Sequence, residues 1–80
     1  MLSIDIVKQR LGDILRDVES DANLKAVRYI EDVKSWEVEV ETKLGVRVGR
    51  LPEEWFEEDE DEKVYNRLYG LVLRERPEKP

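Results

Sequence analysis

The stretch WEVEVETK, residues 36–43, alternates apolar and charged side chains with a period of two. The two sides of the stretch are Trp36, Val38, Val40 and Thr42 against Glu37, Glu39, Glu41 and Lys43. Such alternation is typical of a β-strand with one buried face. We therefore predict a central strand here, with its Trp and Val side chains in the core.

A first strand is predicted before this one, at residues 25–31, where apolar and β-forming side chains are mixed. The connection at residues 32–35 is short enough for a hairpin. Because short connections join strands that run in opposite directions, we expect these two strands to be antiparallel neighbours.

A third, short strand is predicted at residues 46–48, after a glycine. We expect Arg47 and Arg50 to lie opposite the glutamates of the central strand, because opposite charges on paired strands relieve like-charge repulsion. The alternation breaks at Leu51 and Pro52, where we expect the strand to end.

An amphipathic helix is predicted before the sheet. Apolar residues recur there at spacings of three and four, which places them on one helical stripe: Ile4, Val7, Leu11, Ile14, Leu15 and Val18. Ser3 suits the N-cap position. Gly12 costs about 1 kcal/mol relative to alanine inside a helix, so we expect a close packing partner or a bend there.

The last segment, residues 63–76, fits either a helix or a hairpin that turns near Gly70. As a helix, it would place four apolar residues on one face: Val64, Leu68, Leu71 and Val72. The predicted fold is α+β: an N-terminal amphipathic helix on one face of an antiparallel sheet of three to five strands. We expect a single domain at residues 1–76 and a disordered tail at residues 77–80.

The composition argues against an enzyme. The 80 residues contain no cysteine and no histidine, which excludes thiolate catalysis and an imidazole general base. A chain this short buries only about 60% of its unfolded surface, which leaves little room for a deep substrate cavity. The four glycines form no phosphate-binding loop. We therefore expect no catalytic site, no cofactor and no bound metal.

The chain also carries no sign of membrane insertion or export. Its longest apolar run is Leu71–Leu73, far below the roughly 20 residues that cross a bilayer. Asp5 stands where a signal peptide would carry basic residues. We expect a cytoplasmic protein that does not contact a membrane.

The net charge of −6 comes from one window. Residues 1–52 carry nine bases and ten acids, and residues 63–80 carry five bases and two acids. The ten residues between them, here called the acidic segment, hold eight acids and two adjacent aromatics. They are the candidate partner-binding residues: Glu53, Glu54, Trp55, Phe56, Glu57, Glu58, Asp59, Glu60, Asp61 and Glu62.

The acidic segment has several interpretations. It lacks the glycine and the spacing of a calcium-binding loop, so a solvated loop or a partner-docking segment is favoured. Trp55 and Phe56 either cap the open end of the sheet or supply one exposed docking anchor. Direct binding of nucleic acid is disfavoured, since the sequence pI is about 4.7.

Two functions follow from this chemistry. The first is a protein-binding accessory factor that uses the acidic segment or an exposed sheet edge as its contact surface. The alternative is an acidic phosphate mimic that inhibits or regulates a basic, nucleic-acid-binding protein. A salt titration separates them, because exposed charge contacts weaken as salt screens them.

The WEVEVE stretch of residues 36–41, followed by Arg47-Val48 and then Pro52, resembles the central motif of the gas vesicle accessory protein O family. The resemblance extends over residues 25–76 and implies a late strand around Val64 and Tyr65. It also implies a non-enzymatic role in building gas-filled protein shells, with shell or other accessory proteins as partners.

Overall fold

A computed structural model describes residues 2–74 as an α+β fold, which confirms the predicted fold class. Residues 75–80, including the predicted tail, lie outside the described residues. The elements in chain order are α1 (Ile4–Val18), β1 (Asn23–Ile30), a 3₁₀ turn (Glu31–Val33), β2 (Ser35–Thr42), β3 (Gly45–Pro52), α2 (Glu53–Glu57), α3 (Asp61–Tyr69) and a π-helical turn (Gly70–Arg74).

Helix α1 begins at the predicted cap. The Ser3 hydroxyl accepts a hydrogen bond from the Ile6 amide at 3.3 Å, which satisfies one of the free donors of the first turn. Four residues of the predicted stripe are buried, namely Val7, Leu11, Leu15 and Val18, whereas Ile14 is half-buried and Ile4 is 40% exposed. The close packing partner predicted at Gly12 is wrong, since a Cβ there would meet only Arg16 Nη1, at 3.9 Å.

The three strands form an antiparallel sheet in the order β1-β2-β3. At its centre, Val38 of β2 pairs with Val27 of β1 and with Gly49 of β3. A two-residue turn joins β2 to β3, and Gly45 follows it with φ of +117°, a conformation that side chains other than glycine rarely adopt.

Strand β3 corrects two predictions. Arg50 lies opposite Glu37 as expected, but Arg47 pairs with Val40 and lies on the core side of the sheet. The reason is geometric, because residues three apart in a strand point to opposite faces. The strand also does not stop before Leu51, which is fully buried and paired within the sheet.

The C-terminal segment is a helix, so the hairpin alternative is wrong within the described residues. The late strand that the resemblance implies at Val64 and Tyr65 is likewise helical. Helical spacing buries Val64, Leu68 and Leu71 on one side, whereas period-two spacing would bury only alternate residues.

All the described elements except the 3₁₀ turn contribute to one hydrophobic cluster on a single face of the sheet. Helices α1 and α3 pack against each other there, and Leu71 of the π-helical turn lies on Gly49. The opposite face of the sheet, here called the outer face, has no helix over it among residues 2–74. Val46 and Val48 are accordingly 50% and 53% exposed on that face.

Candidate functional site

The acidic segment is folded. Its first five residues form α2, a turn follows, and its last two residues begin α3. The Glu53 amide donates to the Lys34 carbonyl oxygen at 2.9 Å, which ties the start of α2 to the β1–β2 connection. The solvated-loop interpretation is therefore wrong for the helical residues 53–57 and 61–62, and a loop remains only at residues 58–60.

The two aromatics of the acidic segment have different environments. Phe56 is only 1% exposed and belongs to the core. Trp55 is half-buried and packs against the edge of that core. Of the two, only Trp55 has surface that a partner could contact without unfolding the domain.

Arg10 of α1 organises the acidic segment, although it lies more than 40 residues away in sequence. Its guanidinium donates to the Phe56 carbonyl oxygen at 2.7 Å and lies over the Phe56 ring, 5.7 Å from the centroid. The same group forms ion pairs with Asp59, at 3.4 Å, and with Asp61. Sequence reasoning missed Arg10, because nothing local distinguishes it from the other charged residues of α1.

Other carboxylates of the segment also have partners. Glu53 accepts a hydrogen bond from the Tyr29 hydroxyl at 2.9 Å, and Glu60 lies 3.4 Å from the Lys63 ammonium group. Within residues 2–74, no ion pair engages the exposed carboxylates of Glu54, Glu58 and Glu62. About half of the residues predicted to bind a partner are therefore engaged in contacts within the fold.

Tyr29 is the titratable group that this arrangement perturbs. Partial burial raises the pKa of Tyr29 above its usual value of 10.0, and the hydrogen bond to Glu53 adds to the effect. The charges of Glu53, Glu31 and Glu57 act in the same direction, since each opposes a phenolate nearby. The Tyr29 ring also meets Trp36 edge-on, with 5.0 Å between centroids.

The outer face of the sheet carries alternating charges beside its two valines. Glu37 on the central strand lies between Arg28, at 3.0 Å, and Arg50, at 3.8 Å. Val48 lies beside Glu39 in the adjacent pair. The face therefore has one end where Glu37 is neutralised by two arginines, and another end, near the β2–β3 turn, where the valines lie beside Glu39 and Glu41.

Both edges of the sheet have features that hinder the addition of a further strand. Strand β1 has a bulge between Leu24 and Ala26. Strand β3 points Arg47 inward and ends at Pro52, which has no backbone donor. The Nε and Nη2 atoms of Arg47 are buried without a hydrogen-bond partner.

No group of three or more Asp, Glu, His or Cys residues in the described part of the chain is arranged to hold a metal ion. None of the helices found between residues 2 and 74 has the length and apolar character needed to span a bilayer. The chain matches no protein-family model, no curated protein and no solved structure.

Proposed function

We propose that this protein is a non-enzymatic accessory factor that binds another protein through the outer face of its sheet. The supporting observation is the exposure of Val46 and Val48, neighbouring β-branched side chains on the same face of one strand. Covering such side chains stabilises a complex by about 25 cal/mol per Å² of apolar surface.

The contact uses side chains and not strand addition. The inward Arg47 and the terminal Pro52 hinder pairing along the β3 edge, as edge strands in natural sheets often do. The side chains on the outer face have no such protection. A partner that places apolar groups on the valines and polar groups on Arg28 and Arg50 would match it.

The resemblance to gas vesicle accessory proteins supplies a partner class. On that reading, the outer face binds shell proteins or other accessory proteins during assembly. The WEVEVE stretch that carries the resemblance places Glu37, Glu39 and Glu41 on the same outer face as the valines. The residues that support the family and those that support the contact surface therefore lie together.

The phosphate-mimic alternative has less support. Such a mimic needs a row of free carboxylates. In the acidic segment, however, Asp59 and Asp61 form ion pairs with Arg10. Glu53 accepts a hydrogen bond from the Tyr29 hydroxyl. The remaining free carboxylates are few. Salt dependence still separates the two functions in an experiment.

The test is co-purification of the tagged chain with co-expressed gas vesicle shell and accessory proteins, at low and moderate salt. Val48→Thr keeps the size and the β-branching of the side chain but makes it polar. Val33→Thr is the matched control, because Val33 is 51% exposed and lies off the outer face. We expect Val48→Thr to weaken binding about fivefold and Val33→Thr to leave it unchanged.

Equal binding by the two variants would reject the outer face as the contact surface. Failure to recover any gas vesicle protein with the wild type would reject the partner class. Recovery of a basic, nucleic-acid-binding protein that washes off at moderate salt would favour the phosphate mimic instead.

A further inference from the structure

A second surface lies on the helical layer, on the other side of the sheet from the outer face. It is a depression of about 470 Å³ between α1 and α3, open to solvent. This depression is here called the interhelical groove, and its lining residues are Ile14, Asp17, Asp61, Glu62, Tyr65 and Asn66. The two helices run in the same direction, since Arg10 pairs with Asp61 at the start of α3, and Ile14, one turn later in α1, lines the depression together with Tyr65 of the second turn of α3.

The apolar part of the groove comes from Ile14 and Tyr65, both half-buried at the edge of the core. Tyr65 stacks on Tyr69, one turn further along α3, with 6.3 Å between ring centroids. Tyr69 is 39% exposed, so the aromatic surface continues beyond the depression along the helix. Tyrosines that combine an apolar ring with a polar end are among the commonest anchors of protein interfaces.

The charged part of the groove is acidic. Asp61 is paired with Arg10, but Asp17 and Glu62 are exposed and have no cationic partner within residues 2–74. They flank the apolar surface, one on each helix. The groove therefore offers an apolar and aromatic strip with uncompensated negative charge on both sides.

We infer that the interhelical groove binds a basic amphipathic helix of a partner protein. Apolar side chains of that helix would pack on Ile14 and Tyr65, and its Lys or Arg side chains would reach Asp17 and Glu62. The groove between two parallel helices can accommodate a third helix. An amphipathic helix suits it, because its apolar contact residues recur every three or four positions on one face.

Charge selects this occupant over the others. A second copy of this chain, with net charge −6, would repel the groove, and so would the phosphates of a nucleic acid. The open shape of the depression leaves a small ligand mostly solvated. A basic helix gains both charge attraction and contact with the tyrosine faces, over which cations bind favourably.

The test is a titration of the full ¹⁵N-labelled chain with a capped, synthetic helical peptide. The peptide has about 14 residues, a length of about 20 Å as a helix, with leucines on one face and lysines on the other. A second peptide has the same composition with its leucines scattered. We expect the first peptide to shift the amide signals around Ile14, Tyr65 and Asn66 and to bind about tenfold more tightly than the second.

Two charge variants make the result specific. Asp17→Asn with Glu62→Gln removes two charges from the groove. Asp32→Asn with Glu41→Gln removes the same number of exposed charges from the 3₁₀ turn and the sheet. We expect about tenfold weaker binding for the groove variant and less than a twofold change for the control. Thermal melts check that both remain folded.

Equal loss in the two charge variants, or equal binding of the two peptides, would overturn the inference, because either result indicates non-specific attraction to an acidic protein. Amide shifts confined to β3 would also overturn it. Tyr69→Ala supplies an uncharged test, with an expected loss of about fivefold that salt leaves unchanged. The groove lies apart from the outer face, so loss of binding here leaves the proposed function standing.

Discussion

The two faces of the sheet share the same strands and hydrogen bonds but have opposite environments. On the core side, Val38 of β2 is fully buried between strands and helices. On the outer face, Val48 of the adjacent strand is 53% exposed, and Glu37 pairs with arginines. One face therefore carries the stability of the domain, and the other remains available for contacts with a partner. Substitutions on the two faces, and one change of pH, test this division.

The largest effect is expected from Val38→Asp. A charge at this fully buried position would lack a partner, at a cost of about 4 kcal/mol or more, close to the whole stability of a domain of this size. Val48→Asp is the control on the outer face. It introduces the same charge into solvent, with about 0.5–1 kcal/mol lost to repulsion by Glu39.

Circular dichroism and thermal melts measure both variants. We expect Val38→Asp to be unfolded at room temperature and Val48→Asp to melt about 2–8 °C below the wild type. A cooperative, unshifted melt of Val38→Asp would contradict the assignment of the core face.

An intermediate effect is expected from Gly49→Ala. The added Cβ would lie 2.5 Å from Leu71 Cδ1, so the buried Leu71 side chain would have to shift, at a cost of about 1–3 kcal/mol. Gly12→Ala is the opposite case, because the helix gains about 1 kcal/mol and nothing is crowded. Urea denaturation of both variants gives the sign of each change. A stabilised Gly49→Ala would mean that Leu71 moves aside at no cost.

The smallest effect on stability is expected at high pH, and it comes from Tyr29 at the edge of the core face. The raised pKa of Tyr29 means that the folded state favours the neutral phenol. Its contribution to stability is therefore complete below pH 10, the usual pKa, and is lost as the pH rises through the raised value. In Tyr29→Phe this contribution is absent at every pH.

The measurement is the urea midpoint at about pH 8 and about pH 11. We expect the wild-type midpoint to fall further than that of Tyr29→Phe between the two values. Tyr69→Phe is the matched control, because it removes one hydroxyl from a tyrosine that is 39% exposed. An identical fall in wild type and Tyr29→Phe would show that the Tyr29 hydrogen bond does not couple to folding.

Periodicity predicted the elements whose environment follows a simple rule. Strand β2 and helix α1 each bury one side, so spacing identified Trp36, Val38 and Val40 as core residues, and residue type placed Ser3 at the helix N-cap. Periodicity predicted β3 but misplaced its faces and its end, because the alternation of Val46 and Val48 with Arg47 suggests that the arginine points away from the core. Arg47 faces the core and Leu51 extends the strand, because pairing with β2 fixes the register.

The conformation of the acidic segment could not be predicted from the sequence, for a different reason. Its charge was evident in the sequence, but its conformation depends on Arg10, which approaches it only when α1 and α3 pack together. The same packing forms the interhelical groove. Spacing could show neither that Arg10 pairs with the acidic segment nor that Ile14 and Tyr65 line one groove. The reason is that the whole sheet separates the two helices in sequence.

Local sequence patterns were enough to predict the α+β class, the first helix and the buried face of the central strand, because the spacing of apolar residues shows directly which side of an element is buried. It left the last segment open between helix and hairpin. Tertiary packing chose the helix by offering a continuous apolar surface to Val64, Leu68 and Leu71. It also decided which charges are paired and which remain exposed, because ion pairs depend on distances between elements that no local pattern contains.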